Sequence, residues 1–430
     1  MLEYNKTMII KRKVYSQIQK HLSQKEISLI VGLRRVGKTT ILRFLIDEIK
    51  QRNEKVIYFN LDREKDSLEF QSQEKIIFLI NQEIKKLKAN QKLYLFIDEL
   101  QRKKNAGIFI KGIYDFIDFN NLNVKIVATG SGSLELKEQI KESLAGRKKI
   151  FQLNTLSFYE FVKFKRNLKS DEKVLEFANL FEEKIKIDFI EYLNYGGFPD
   201  VVLASNEEEK QEKIAEIYES YLEKDVKQLL NIKKSKSFSN LVKLLSSQVG
   251  SLVNKAELAR TVGVSKNTID KYIWYLEKTF VINQLNPFFK NPRKEITKMP
   301  VIHFNDLGLR SYASGNFNFN PFDNINGGIF ENFVYLMLKN SVKKKNVVGF
   351  WRTIVGAEVD FIIGSYLEAI PVEVKMKKFN SKVKYGKSFY SFLDKYQPKQ
   401  AFLYNLDTSK EEKVKGINVK TLKFYEKVKI

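Results

Sequence analysis

The sequence predicts a multidomain α/β protein that opens with a parallel sheet wrapped by helices. Short apolar runs at Ile27–Val31, Val56–Phe59, Leu93–Ile97 and Val124–Ala128 are separated mostly by segments of helical periodicity, as in strands joined by crossover helices. The first run ends at Gly32, and from Thr39 the residues Ile41, Leu42, Leu45, Ile46 and Ile49 follow helical spacing. At 430 residues the chain is too long for one ordinary domain and implies roughly two to four.

Composition bounds the class. The chain is 43% hydrophobic with 33 Phe and 20 Tyr, enough to give each domain a core. It carries 75 Lys+Arg against 51 Asp+Glu, a net charge of +24. That balance suits a polyanion, nucleic acid first and an anionic membrane surface second, although lysine also solvates surfaces in a Lys-rich proteome. There are no cysteines, which removes disulfides and zinc–thiolate sites. Met1–Lys13 has no apolar core of signal-peptide length, and no apolar run approaches the roughly 20 residues that cross a bilayer. The expectation is a cytoplasmic protein with no integral membrane association.

Further along, residues from Phe158 to about Leu230 read as mainly helical, broken by a turn at Tyr195-Gly196-Gly197-Phe198-Pro199. Short helices follow from Phe238 to Phe280, then strands at Val281–Leu285 and Val301–Phe304. Ser314–Gly328, rich in Gly and Asn, is the best linker. Beyond it come a helix at Ile329–Leu338 and strands near Val347–Arg352, Val359–Ile363 and Ala369–Val374. The expected domains are 1–157, 158–236, 237–313 and 325–430.

The glycine turn carries the sharpest chemistry. Gly32-Leu33-Arg34-Arg35-Val36-Gly37-Lys38-Thr39 lies between an apolar strand and a helix. Its glycines let backbone N–H groups turn toward phosphates, and the helix offers its N-terminus to them. Gly32, Arg35, Val36, Gly37, Lys38, Thr39 and Thr40 are the expected ATP-binding residues. Lys38 would face the β- and γ-phosphates, and the Thr39 hydroxyl would face Mg2+. Leu93–Glu99 matches the strand that supplies two carboxylates at its end, Asp98 for the metal and Glu99 to activate water. Val124–Ala128 delivers Thr129-Gly130-Ser131-Gly132-Ser133 to the same sheet edge, with Ser131 the favoured hydroxyl for the γ-phosphate or the water.

This order of phosphate loop, Asp-Glu strand and Thr-Gly-Ser strand resembles the AAA+-type ATPases. Leu144-Ala145-Gly146-Arg147, Leu156-Ser157-Phe158, Tyr195–Pro199 and Tyr221-Leu222-Glu223-Lys224-Asp225 resemble one prokaryotic family in particular. Its members join an AAA+-like domain to a C-terminal restriction-endonuclease-like domain, and the resemblance covers nearly the whole chain. It implies an ATPase using ATP and Mg2+. It also makes Arg147 a candidate arginine finger or sensor, a surface salt-bridged arginine being the other reading. The fold expected is then an AAA+-like parallel-sheet domain with a helical lid, a winged helix-turn-helix, and a restriction-endonuclease-like α/β domain.

Lys255–Gly263 and Ser265–Lys278 read as two helices joined by a short turn. Ala259, Gly263-Val264 and Ile269 sit where a helix-turn-helix needs a small residue, a turn and a core contact. Ser265 is a good N-cap. The second helix would present Lys266, Asn267, Lys271 and Trp274 to DNA, and Lys290, Arg293 and Lys294 would mark a wing. A three-helix unit that binds protein rather than DNA is the alternative.

In the last segment, Asp360 lies on one apolar strand and Glu373 and Lys375 share a face of the next, while Glu331 sits on the helix before them. This resembles the PD-(D/E)XK nuclease core, in which carboxylates hold magnesium and a lysine polarises the attacking water. Lys375–Lys387 adds six lysines and no acid, suited to a phosphate backbone or to plain solvation. His21 and His303 are too isolated to suggest metal or acid–base work.

The leading reading is an ATP-hydrolysing protein that acts on or with DNA, with a candidate Mg2+-dependent nuclease site and homo-oligomerisation allowed. The first rival is an ATP-dependent switch that recruits proteins and carries a silent nuclease-like domain. The second is a peripheral membrane ATPase.

Overall fold

The computed structural model describes residues 12–131, 143–220, 235–288, 299–323, 327–342, 348–353, 355–365, 368–380 and 382–428. Contacts divide the chain into two units. One is Met1–Thr155 with Lys278–Phe280; the other is Leu156–Glu277 with Val281–Ile430.

In the first unit, α1 (Lys13–His21) precedes β1 (Ile27–Gly32), and α2 (Lys38–Gln51) leads to β2 (Lys55–Asn60). Then come α3 (Glu64–Glu69), α4 (Gln73–Ile84), β3 (Leu93–Asp98), α5 (Ala106–Phe119), β4 (Val124–Ser131) and β5 (Lys148–Gln152). The strands form one sheet in the order β2-β3-β4-β1-β5. Every pairing in it is parallel. β1, β3 and β4 are buried along their whole length, which is why each reads as an unbroken apolar run. Leu29, Val31, Leu95, Ile97, Ile126 and Ala128 pack with Ile110 and Ile113 of α5 to form the core.

Two features of this unit were not visible as patterns. β5 has one buried residue, Phe151, among partly or fully exposed ones, so an edge strand reads as surface. Lys125, in β4, is wholly buried. Its Nζ donates to the carbonyls of Gln24, at 3.0 Å, and Glu26, replacing the water it gives up.

The second unit draws together segments that the sequence suggests as separate domains. Phe189, on the helix Glu182–Tyr195, stacks 4.2 Å from Phe424 and lies 4.7 Å from Phe333. Tyr159 donates its hydroxyl to the Tyr425 carbonyl at 2.7 Å. Residues expected in a helical lid therefore share a core with the C-terminal segment. The Gly196-Gly197 turn is shaped by the same packing. A Cβ on Gly196 (φ +71°) would stand 2.3 Å from Asp306 Oδ1, and Gly197 N–H donates to Asp306 Oδ2 at 2.9 Å.

Helices Lys255–Val262 and Lys266–Lys278 meet at Gly263, which takes φ +72°. The antiparallel pair β6 (Ile282–Leu285) and β7 (Val301–Phe304) follows. The wing residues Lys290, Arg293 and Lys294 lie outside the described residues, as do Gly132, Ser133 and Tyr221–Asp225.

The last segment begins with the helix Gly327–Ser341. Strands β8 (Val348–Arg352), β9 (Glu358–Ile363), β10 (Ile370–Val374), β11 (Gln400–Asn405), β12 (Lys410–Val414) and β13 (Ile417–Lys423) form a sheet in the order β12-β13-β11-β10-β9-β8. β8, β9 and β10 are an antiparallel meander. The helix Lys387–Tyr396 then crosses over, so that β11 runs parallel to β10. β11, β12 and β13 were not expected from the sequence. Among the described residues no helix is long and apolar enough to cross a membrane.

Candidate nucleotide site and C-terminal carboxylate cluster

The loop between β1 and α2 takes its shape from two left-handed residues, Arg35 (φ +59°) and Gly37 (φ +94°). Gly37 caps α2, so the helix N-terminus opens directly from the turn. Gly32 is required by packing as well: a Cβ there would lie 2.1 Å from the Leu153 carbonyl oxygen. Val36 is buried, whereas Arg35 and Thr40 are exposed and Thr39 is partly so.

Lys38 is only 4% exposed, and its Nζ donates to the loop carbonyls of Leu33 (2.8 Å) and Gly32 (3.3 Å). Burial pushes its pKa down, while Glu99 and Asp98 pull it back up. A shielded ammonium next to two carboxylates, at a helix N-terminus, is the donor set that a phosphate chain with a divalent cation requires. The residues present therefore fit ATP and Mg2+.

Parallel register brings the expected catalytic residues to one sheet edge. Ile97 pairs with Ala128, and Gly32 pairs with Ser131, so Asp98 and Ser131 both end strands beside the loop. Asp98 is buried, accepting the Thr129 hydroxyl at Oδ1 and the Tyr58 hydroxyl at Oδ2 (3.4 Å). Glu99 sits just past the strand in a left-handed conformation (φ +59°), and its N–H donates to Thr129 Oγ1 at 3.1 Å. Gln101 donates to Glu99 Oε2 and accepts the Ser131 N–H at 2.9 Å. Tyr58 and Gln101 were missed by sequence reasoning, and Thr129 was passed over in favour of Ser131. No motif marks any of the three; their roles arise from strand register and a short 3-10 turn.

Arg147 is placed elsewhere. Its carbonyl accepts the Ile27 N–H at 2.8 Å, at the start of β1, whereas the phosphate loop leaves the end of that strand. Five residues of strand rise roughly 16 Å. Arg147 Nε is paired with Asp115 at 2.7 Å, both side chains being about two-fifths exposed. It does not join its own chain's phosphate loop.

The C-terminal residues do gather. Asn332, the chain neighbour of Glu331, is fully buried and clamps Phe304 of β7 through both amide atoms, at 2.7 and 2.8 Å. Asp360 Oδ2 accepts the Val374 N–H at 2.6 Å across the β9–β10 pair. Lys375 Nζ meets Glu373 Oε1 at 2.6 Å, and Glu373 Oε2 is buried with no hydrogen-bond partner among the described residues. Burial, then repulsion from Glu358 and Glu373, pushes Glu331 up to about 7, with Lys375 opposing. Asp360 is raised well above the carboxylate range by burial, Glu373 and Glu331. Glu373 is raised by burial against the pull of Lys375. Burial works against the Lys375 charge, but the three acids hold its pKa above its ordinary value. The four side chains thus share one electrostatic environment, to which Glu358 belongs as well.

Among the described residues, no group of three or more His, Asp or Glu side chains stands in the geometry of a metal site. One oxygen of Asp360 accepts the Val374 N–H, and one of Glu373 pairs with Lys375. The chemistry of the donor set still suits a divalent cation, because the cluster keeps an orphaned carboxylate oxygen and acids that repel one another.

On the helix Lys266–Lys278, the residues Lys266, Asn267 and Lys271 are exposed, and Trp274 is 37% exposed. Ile269, Tyr272, Ile273 and Leu276 are buried on the other side. Ser265 caps the helix, its Oγ accepting the Thr268 N–H at 3.2 Å.

Comparison with known proteins divides the chain among three family models. Residues 24–162 match the AAA domain. The first unit is an AAA+-like parallel α/β domain with a nucleotide-binding P-loop. Residues 186–320 and 326–425 match two domains of unknown function, DUF8612 and DUF4143. An uncharacterized protein of Methanocaldococcus jannaschii is 27% identical over 399 residues, covering 87% of this chain and 80% of that one. One from Haemophilus influenzae is 27% identical over 391 residues, covering 86% of this chain and 87% of its own. Among solved structures, the ORC1 protein of Aeropyrum pernix in complex with DNA is 14% identical and covers 70% of this chain and 91% of that one, with a TM-score of 0.30.

Proposed function

We propose that the protein binds and hydrolyses ATP with Mg2+ and couples that cycle to DNA. The observation that carries the ATPase reading is the register that sets Asp98 and Ser131 beside the phosphate loop, with Lys38 shielded between the loop carbonyls and the two acids. When bound, Mg2+ would offset charge on the transferred phosphoryl group, with Asp98 and the Thr39 hydroxyl as its holders. Glu99 accepts the proton of the attacking water, and Lys38 binds and orients the phosphates. Arg147 serves as a finger only across copies of the chain. Lys38→Ala should lose nucleotide binding. Glu99→Gln should keep binding and lose turnover, because the amide preserves shape but not basicity. Nucleotide titration with phosphate release tests both, and full turnover by Glu99→Gln removes Glu99 from the mechanism.

DNA is the favoured partner on charge. The chain carries +24, and the helix Lys266–Lys278 shows Lys266, Asn267 and Lys271 to solvent at the start of a winged-helix-like arrangement. The gathering of Glu331, Asp360, Glu373 and Lys375 favours a second activity, Mg2+-dependent phosphodiester cleavage in a restriction-endonuclease-like domain. Plasmid nicking with Mg2+, abolished by Asp360→Ala while ATP hydrolysis persists, is the expected result. An intact plasmid under all conditions favours instead the protein-recruiting switch with a silent C-terminal domain.

A further inference from the structure

The side chain of Gln101 occupies a place that neither the phosphate loop nor the Asp-Glu strand explains. It stands on the short turn Leu100–Arg102 that follows β3. Its amide nitrogen donates to Glu99 Oε2, and its amide oxygen accepts the backbone N–H of Ser131, the last residue of β4, at 2.9 Å. One planar group therefore joins the carboxylate expected to activate water to the end of the neighbouring strand. The backbone of Glu99 is fixed from the other side. Its N–H is held by Thr129 Oγ1 at 3.1 Å, and its φ of +59° is a left-handed setting that persists only where surrounding contacts enforce it. Glu99 and Asp98 in turn act on the buried charge of Lys38.

We infer that Gln101 is the positioning residue for Glu99, fixing one carboxylate oxygen so that the other faces the attacking water. The reasoning is geometric. A free glutamate side chain has three torsions to order, and a general base contributes fully only when it is held within hydrogen-bonding reach of its proton. Gln101 removes that freedom by gripping Oε2, and Ser131 N–H stops the amide itself from rotating. Because Ser131 is paired in register with Gly32, the grip is referred to the strand that launches the phosphate loop. This rests on the ATPase reading, and it adds a link between β4 and Glu99 that the reading does not need.

The experiment compares wild type, Gln101→Ala, Gln101→Glu, Glu99→Gln and the double variant Glu99→Gln/Gln101→Ala, using ATP, Mg2+ and the full chain. Gln101→Ala is expected to lower kcat by on the order of tenfold or more while leaving the ATP Kd within about twofold. Gln101→Glu, which keeps the shape and the acceptor for Ser131 but replaces the donor with a carboxylate, should lose at least as much. In the double variant the Gln101 change should take nothing further from the residual turnover that Glu99→Gln retains, because a residue acting only through Glu99 has nothing left to orient. A merely structural role would lower binding and turnover together and would add to the Glu99→Gln loss. Wild-type kcat in both Gln101 variants, or a further loss in the double variant, overturns the inference while leaving the ATPase reading intact. Absence of turnover by wild type overturns both.

Discussion

Thr129 donates its hydroxyl to Asp98 Oδ1 and, through the same oxygen, accepts the backbone N–H of Glu99 at 3.1 Å. One β4 side chain thus ties both acids at the end of β3. Thr129→Val keeps the volume and removes both bonds, leaving Oδ1 of the buried Asp98 without this donor while Oδ2 keeps the Tyr58 hydroxyl. The expected cost is about 1–3 kcal/mol of stability together with a lower rate of ATP hydrolysis. Thermal denaturation and phosphate release measure the two effects; an unchanged melting temperature and rate would show that the hydroxyl is dispensable.

Arg147 stands at the start of β1's neighbour β5, paired with Asp115 at 2.7 Å. If it serves a second copy, specific ATPase activity should rise with protein concentration. Arg147→Ala should then lose on the order of a thousandfold in rate, and Asp115→Asn should not. Activity independent of concentration in a chain shown to be monomeric removes the role.

Glu331 has a folded-state pKa raised to about 7, mainly by burial. A raised carboxyl contributes its stability when protonated and loses it as pH rises from the unfolded value through about 7. Since Glu331 keeps part of its surface exposed, the loss is discounted to roughly 1–3 kcal/mol. Glu331→Gln should therefore be more stable than wild type above pH 7 and closer to it near pH 4.5. Denaturant melts at the two pH values check this, and equal gains at both would remove the carboxyl as the source.

His303 is 1% exposed, lies 4.9 Å from the Tyr335 ring, and has an Nδ1 without a hydrogen-bond partner among the described residues. Burial lowers its pKa from 6.5 to about 3. In that window the unfolded chain binds the extra proton, so stability is lost as pH falls from 6.5 toward 3, by up to roughly 4 kcal/mol. His303→Phe should flatten this acid limb. An unchanged dependence of unfolding free energy on pH would place the acid sensitivity elsewhere.

Lys266 and Lys271 are exposed on the helix proposed to face DNA. If both contact phosphates, changing both to Ala should lower the log–log salt slope of binding by about two. Fluorescence anisotropy over a salt series measures it; an unaltered slope assigns the DNA contacts to other lysines.

The first unit was largely legible in the sequence because its chemistry is local. A phosphate loop needs glycine at a turn and a lysine at the helix start, and Gly37 and Lys38 are neighbours in the chain. Buried parallel strands are apolar throughout, so β1, β3 and β4 declared themselves. That Glu373 and Lys375 share a face was legible for a related reason, since strand periodicity of two assigns both to one side and their side chains do pair. What tertiary structure alone decided depends on contacts between distant residues. Strand order placed Thr129 beside Asp98 and turned Gln101 into a bridge from Glu99 to Ser131. Parallel register put Arg147 at the far end of β1 from the phosphate loop. Phe189, Phe333 and Phe424 joined segments that composition suggests are separate, because an aromatic face records that it will be buried but not against what.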